Sequence, residues 1–148
     1  MDTVGGEIKT LVAFTPRALS GEVAHSGDII DRLGYLSAVF TLVAGKYTST
    51  PTAIDVAIAV HECATLDGSF AAVTDPTDAA NTTYGTVRIS GEVATAVKDA
   101  DAEINIDLRS HARYVKLVVT PDFTGGSSPT LFFGATVALG ESQVKPAL

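Results

Sequence analysis

Apolar residues recur with a period of two through much of this chain. One segment places an aliphatic residue at every second position: Ile54, Val56, Ile58 and Val60. The same period returns at 104–108, 115–119 and 131–139. Successive side chains of a β-strand point to opposite faces of a sheet, so this pattern indicates half-buried strands. Since no comparable segment keeps a helical period, the sequence predicts an all-β protein.

Turn-forming residues separate about eight such segments, a spacing typical of sandwiches and barrels. The chain has 148 residues, which fits one β-sandwich domain over 1–148. Residues 1–6 and 141–148 are predicted to be extended arms. The favoured architecture is a two-sheet antiparallel sandwich of jelly-roll type, with at most one or two short helices. An immunoglobulin-like sandwich is the alternative.

Several local features are predicted for the first part of the chain. Residues 7–14 form a first strand, which Pro16 ends or kinks. Residues 28–33 form a short helical turn, capped by Asp28 and ended by Gly34.

Other local features concern turns and connections later in the chain. Residues 66–69 form a tight turn in which the pair Asp67-Gly68 supplies the positive-φ position. The segment 91–102 forms either a short helix or a wide connection. Residues 121–129, bounded by two prolines, form a loop before the last strand at 130–139.

The strand at 36–44 is apolar on both faces, so it needs cover on both sides. One face meets the core of the sandwich. On the other face, Val39 and Val43 are predicted to contact another subunit. The alternative is that the chain's own segment 17–31 covers them.

The charge balance argues against binding to polyanions. The formal net charge is −7, and the ten lysine and arginine residues are scattered singly. A nucleic-acid partner needs a basic stripe that neutralises phosphates, so direct contact with DNA or RNA is not expected, nor is attachment to an anionic membrane. Neither a signal peptide nor a transmembrane helix is expected. The single cysteine cannot form an internal disulfide, which suits assembly in a reducing cytoplasm.

No constellation of catalytic or metal-binding residues is apparent in the sequence. The three histidines lie in different segments, and only His61 and Cys63 have a spacing that places two ligand types on one strand face. The acidic run 99–103 lacks the ligand spacing of a calcium loop, so it is interpreted as a solvated acidic loop. Nucleophile elbows and phosphate-binding loops are absent from the sequence. The chain is therefore predicted to be non-enzymatic, without metal or cofactor.

Three segments, taken in order, resemble small virion proteins of tailed phages. The first is Asp31-Arg-Leu-Gly-Tyr35, which leads into a strand. The second runs from Ile58-Ala-Val-His-Glu62 to Leu66-Asp-Gly-Ser-Phe-Ala-Ala-Val73. The third is Arg113-Tyr-Val-Lys-Leu-Val-Val-Thr-Pro121, and a final strand ends at Leu139-Gly140. Over residues 28–141 this order resembles the jelly-roll capsid cement, or head decoration, proteins.

The resemblance implies a structural role in the virion. The protein would bind the outer surface of an icosahedral capsid, after synthesis in the host cytoplasm, and bridge neighbouring subunits of the major capsid protein. Its partners would be the major capsid protein and copies of itself, as a dimer or trimer. Two alternatives remain: another virion component of the tail or head-completion type, and a carbohydrate- or receptor-binding β-sandwich. With no tryptophan and 7% aromatic residues, the chain is poorly supplied for binding sugars.

Overall fold

A computed structural model describes residues 8–75, 84–92 and 100–142. These residues form ten strands, and no helix occurs among them. The strands are β1 (Lys9–Ser20), β2 (His25–Ser26), β3 (Ile30–Asp31), β4 (Tyr35–Thr48), β5 (Ala53–Cys63), β6 (Ala71–Ala72), β7 (Thr86–Glu92), β8 (Ala100–Asp107), β9 (Tyr114–Thr124) and β10 (Thr130–Ser142).

The strands form two antiparallel sheets. The first sheet has the order β1-β10-β4-β8. The second has the order β2-β9-β5-β6, with β3 also paired to β9 and β7 also paired to β5. Each short pair, β2 with β3 and β6 with β7, therefore shares one neighbour and acts as one interrupted edge strand.

With each interrupted edge counted once, the topology is that of a jelly roll. The chain crosses repeatedly between the sheets, and its first and last strands, β1 and β10, lie side by side in the first sheet. Eight strands in two facing sheets are the arrangement of jelly rolls. The prediction of an all-β jelly-roll sandwich is confirmed. The immunoglobulin-like alternative does not fit, since its sheets follow a different strand order.

The core lies between the sheets and uses the alternating residues of the long strands. Over residues 38–44 of β4, 54–60 of β5 and 115–123 of β9, every second side chain is buried and the intervening ones are partly or fully exposed. The largest fully buried side chains are Phe14, Phe40, Phe133, Leu19, Leu42, Ile54, Ile58, Leu108, Leu117, Leu131, Leu139 and Val56. The ring of Phe14 packs edge-on against that of Phe133 on the neighbouring strand, with centroids 5.2 Å apart. The period-two pattern therefore identified the buried face correctly.

The first strand is longer than predicted. It continues through Pro16 to Ser20, and its pairing with β10 shifts register between Val12 and Phe14 and again between Phe14 and Arg17. β1 is an edge strand, where a proline without a backbone N–H is tolerated at an irregularity. Pro16 thus disturbs the strand without ending it.

The helical turn predicted at 28–33 does not form. Residues 30–31 are strand β3, paired with β9. The carboxylate of Asp28 accepts hydrogen bonds from the backbone N–H and the hydroxyl of Thr15, at 3.0 and 2.9 Å. Asp28 therefore accepts hydrogen bonds from the irregular part of β1 and does not cap a helix. This is a tertiary contact, which a local sequence pattern cannot reveal.

Two other local predictions also need correction. Gly68 lies in the predicted turn but does not have a positive φ. A β-carbon there would lie 2.4 Å from Cys63 Sγ and 2.5 Å from Thr65 Oγ1, so a larger residue would require these two side chains to move. The loop predicted to begin at Pro121 begins after Thr124, because β9 continues through the proline opposite Val56. The pairing of β2 with β9 ends at Val119, so Pro121 lacks a partner strand on that side.

The predicted arms fall largely outside the described residues. Residues 1–6 and 143–148 are not described, and Glu141 and Ser142 belong to β10. The segment 91–102 is described only at its ends, which belong to β7 and β8. The arms and the single-domain boundary stay predictions.

Candidate interaction surface

The outer face of the first sheet carries an apolar groove of about 270 Å³. We call this surface the groove; its lining residues are Val12 and Pro16 of β1, Thr41 and Val43 of β4, and Phe132, Gly134, Ala135 and Thr136 of β10. These residues carry no charged side chain. Val12, Val43 and Phe132 are 50%, 52% and 49% exposed. Clustered exposure of large apolar side chains is typical of an interaction site rather than of a solvated sheet face.

The groove follows from the local sequence of β10 and β1. Two phenylalanines are adjacent, so alternation buries Phe133 and turns Phe132 outward. Pro16 packs over Gly134 so closely that a β-carbon on the glycine would lie 3.0 Å from Pro16 Cγ. The bulge at Pro16 and the missing side chain at Gly134 together give the groove its depth.

Val39 and Val43 both lie on this outer face. Val43 lines the groove and pairs with Gly134, while Val39 is half-buried further along the strand, opposite Ala138. Within the range 17–31, residues 17–20 belong to β1 of the same sheet, and 25–26 and 30–31 pair with β9 in the other sheet, so none of these strands lies over Val39 and Val43. Contact of Val39 and Val43 with another subunit stays a prediction.

Sequence reasoning missed Val12 and Phe132 as parts of this surface. The signal for Phe132 was available in the run Leu131-Phe132-Phe133, because alternation cannot bury both aromatic rings. Val12 gave no such signal, since its position beside Thr136 depends on the register between β1 and β10.

Carboxylates line one side of the same sheet face. In β8, Asp101 pairs with Val43 and Glu103 pairs with Thr41. Directly paired residues of antiparallel strands project to the same face, so these acids border the groove. The interpretation of 99–103 as a loop is wrong for 100–103, which belong to β8.

The outer face of the second sheet is different in character. Its centre is lined by small side chains, among them Ala57, Ala59 and Thr120. Arg88 forms an ion pair with Asp55 on this face. Burial lowers the pKa of the neighbouring His61. The larger apolar side chains of its lining, among them Val87 and Val118, are at least partly buried. Because no large apolar side chain of this lining is exposed and its arginine is already paired, this face is a weaker candidate for docking.

A buried polar cluster ties the β8–β9 turn to β5. Glu62 Oε2 accepts a hydrogen bond from the backbone N–H of Ala112 at 2.6 Å and lies 3.0 Å from His111 Nδ1. Tyr84 stacks on the His111 ring, with centroids 5.6 Å apart. Arg32 donates hydrogen bonds to the carbonyl oxygens of His111 and Ala112. These contacts link the β3–β4, β6–β7 and β8–β9 connections to one another. The role of the cluster is therefore structural.

A second cavity and a free thiol lie outside the groove. A cavity of about 580 Å³ lies between the β1–β2 and β9–β10 connections, and Glu22 is the one titratable residue among its described lining. Within the described ranges, no three His, Cys, Asp or Glu side chains are grouped to hold a metal ion. Cys63 is a free, half-buried thiol. No helix suited to crossing a membrane occurs in the part of the chain that the structure describes.

Comparisons with known proteins find similarity in structure. No protein-family model and no curated protein matches the sequence. The VP2 subviral particle of infectious bursal disease virus matches over 92% of this chain, with 16% identity and a TM-score of 0.50. The structure of the Gx strain of the same virus matches over 89%, with 15% identity and a TM-score of 0.51. A desmodium yellow mottle tymovirus structure has 12% identity and a TM-score of 0.36.

These similarities bear on the fold. The chain spans about a third of the length of the bursal disease virus proteins, 33% and 32%. It is therefore similar to one jelly-roll portion of a viral particle protein. At this level of identity the fold is what is shared.

Proposed function

We propose that this protein is a structural component of a virion that binds the outer surface of an icosahedral phage capsid. In this role it bridges neighbouring subunits of the major capsid protein and so stabilises the head. The observation that carries the proposal is the apolar groove on the outer face of the first sheet. The jelly-roll fold, similar to a portion of a viral particle protein, supports it.

The groove has the composition of an interface core. Aromatic and aliphatic side chains are enriched at the cores of protein–protein interfaces, and charged residues are depleted there. Phe132, Val12 and Val43 match this description, and none of the described residues that line the groove is charged. Occupation of the groove by a capsid subunit would remove these half-exposed side chains from water, which is favourable in proportion to the apolar area buried.

Bridging stabilises a shell through many weak contacts acting together. A protein that contacts two capsid subunits adds an interface that must break before the subunits separate. Because linked sites bind with a high effective concentration, modest individual contacts suffice when they are repeated over a symmetric shell. Copies of the chain associated as a dimer or trimer would increase this effect.

Charge also supports an external, non-enzymatic role. The net charge of −7 disfavours contact with packaged DNA, whose phosphates attract basic proteins. Among their described lining residues, the groove and the cavity beside Glu22 hold no pair of titratable groups of the kind on which acid–base catalysis depends,. The negative charge and the lining of the cavities both fit a structural protein that acts through its surface.

The test uses heads purified from a mutant virus that lacks this chain. Purified wild-type protein is added, and binding is measured by co-sedimentation. The protection of the heads is measured as the rise in the temperature at which they release DNA. We expect wild-type protein to bind and protect, and the double variant Val43→Ser/Phe132→Ser to lose at least about tenfold in affinity, since it removes two interface side chains.

A matched control separates docking from general surface effects. The double variant Val23→Ser/Leu66→Ser removes two apolar side chains of similar exposure, 57% and 53%, outside the groove. It should bind as the wild type does. The proposal is wrong if wild-type protein does not sediment with heads, or if both double variants bind equally well. Gold labelling of intact virions distinguishes a head position from a tail position.

A further inference from the structure

The acidic border of the groove has a sharply defined position. Across β1, β10 and β4 the groove is uncharged, whereas Asp101 and Glu103 stand on the edge strand β8 directly beside Val43 and Thr41. Both side chains are exposed. The sheet face therefore changes from apolar to negative within the distance between two neighbouring strands, about 4.8 Å.

These two carboxylates differ from the other acid at the end of the same strand. Asp107 is bonded to Arg109, which also pairs with Glu141. The carboxylates of Asp101 and Glu103 form no ion pair with any residue in the described ranges. As far as the described residues go, their charge is therefore available to solvent or to a partner.

We propose that the groove's partner is a protein surface whose apolar side chains are bordered on one side by lysine or arginine. The apolar part occupies the groove, and the basic border meets Asp101 and Glu103. This inference rests on the proposed function, because it describes the capsid surface that the groove binds. It adds the chemistry of that surface and the direction in which the chain lies on it.

Charge complementarity carries the proposal. A carboxylate at the rim of an interface loses water on docking, and a cation opposite compensates for that loss. A partner bordered by acids would be repelled at the same place. Complementary charges on one side of an apolar contact also fix the orientation of binding, since a reversed partner would set its cations against β1.

A second copy docked through the same face fits less well. Its groove lining offers only uncharged residues, and its β8 offers further carboxylates. Neither groove lining of such a dimer would supply a cation for the Asp101 and Glu103 carboxylates of the other copy. Association of the purified chain through this groove is therefore an outcome that would contradict the proposal.

The experiment reverses charge at the border while leaving the groove unchanged. The variant Asp101→Lys/Glu103→Lys is compared with Glu22→Lys/Asp122→Lys, which makes the same change in net charge at exposed positions outside the groove. The probe is the heads lacking this chain, and the readout is the dissociation constant at several NaCl concentrations. Circular dichroism confirms that both variants fold.

We expect the border reversal to weaken binding by about tenfold or more at low salt, and the control reversal to change it little. The neutral variant Asp101→Asn/Glu103→Gln should bind with a smaller loss, and its affinity should depend less on salt than that of the wild type. Equal affinities for the border and control reversals would overturn the inference. In that case, loss of binding by Val43→Ser/Phe132→Ser would still uphold the proposed function.

Two further results are decisive. If the border reversal strengthens binding, the partner border is acidic and the inference is wrong. If the wild-type chain dimerises in analytical ultracentrifugation and Val43→Ser/Phe132→Ser is monomeric, a second copy occupies the groove and the inference is again wrong. If the wild type and Val43→Ser/Phe132→Ser have the same association state, no second copy occupies the groove. The groove is then free for the partner with a basic border, as proposed.

Discussion

Glu62 shows how one residue can join separate parts of this fold. It follows His61 at the end of β5, where alternation alone indicates only a polar residue near a strand end. In the structure its carboxylate accepts the backbone N–H of Ala112 and lies within hydrogen-bonding distance of the His111 ring. The turn between β8 and β9 is thereby held against β5.

Replacement of Glu62 by alanine should destabilise the protein. The Ala112 N–H and His111 Nδ1 would both lose their partner in a partly buried setting, and each unsatisfied buried group costs about 1–3 kcal/mol. We expect the free energy of unfolding, measured by urea denaturation, to fall by about 2–3 kcal/mol. Glu62→Gln, which retains a carbonyl oxygen, should lose less.

The control for this prediction is Glu103→Ala. The side chain of Glu103 is exposed and forms no ion pair with the described residues, so its removal should change stability by less than about 0.5 kcal/mol. Equal effects for the two alanine variants would show that the Glu62 contacts do not stabilise the fold.

At the scale of elements, the most demanding contact lies where β1 meets the segment that leads out of β2. The N–H of Gly27 donates to the carbonyl oxygen of Leu117 at 2.8 Å, and the N–H of Asp28 donates to that of Ala13 at 3.0 Å. One short segment thus bonds to both sheets. A β-carbon on Gly27 would lie 2.4 Å from the Ala13 carbonyl oxygen, so only glycine fits without movement of the backbone.

Gly27→Ala should therefore separate the two sheets locally. We expect a loss of about 1–3 kcal/mol in the free energy of unfolding, as for other overpacked sites. The control is Gly45→Ala in β4, where the nearest atom to an added β-carbon is 3.6 Å away. That change should leave stability unchanged or raise it by up to about 1 kcal/mol, because alanine restricts the unfolded chain. Both are measured by urea denaturation, and comparable losses would contradict the argument.

The long strands were predictable from sequence, and the short elements were not. β4, β5, β9 and β10 each bury one face, so a period of two is imposed on their residues. β2 and β3 have two residues each, too few for any period. The segment 28–33 accordingly resembled a helical turn, because the distant Thr15 that binds Asp28 left no mark in the local pattern. Pro121 misled the prediction because of another distant contact. A proline is tolerated in β9 at this position because the pairing of β2 with β9 ends at Val119.

For the whole molecule, the shared core predicts cooperative unfolding. Phe40 of β4 and Leu117 of β9 are fully buried and belong to different sheets, yet both contribute to one core cluster. Truncating either to alanine should reduce the free energy of unfolding by about 2–5 kcal/mol. Because the sheets stabilise each other, each variant should still unfold in one transition, with circular dichroism and tyrosine fluorescence giving the same midpoint.

A separate transition for one sheet would contradict this prediction. If Phe40→Ala shifted one phase and left a second phase unchanged, the sheets would be independent units. A coincident, single transition in both variants would support the single-domain assignment over 1–148.

The sequence by itself determined that the chain is a β-sandwich and which residues form its core, because burial on one face imposes alternation on every long strand. It also determined that Val39 and Val43 point away from that core. Only the tertiary structure decided what surrounds them: the register between β1, β10 and β4 assembles the groove, and the pairing of β4 with β8 sets Asp101 and Glu103 beside it. These neighbours are distant in sequence. A surface that several strands build together leaves no repeating pattern in the sequence of any single strand.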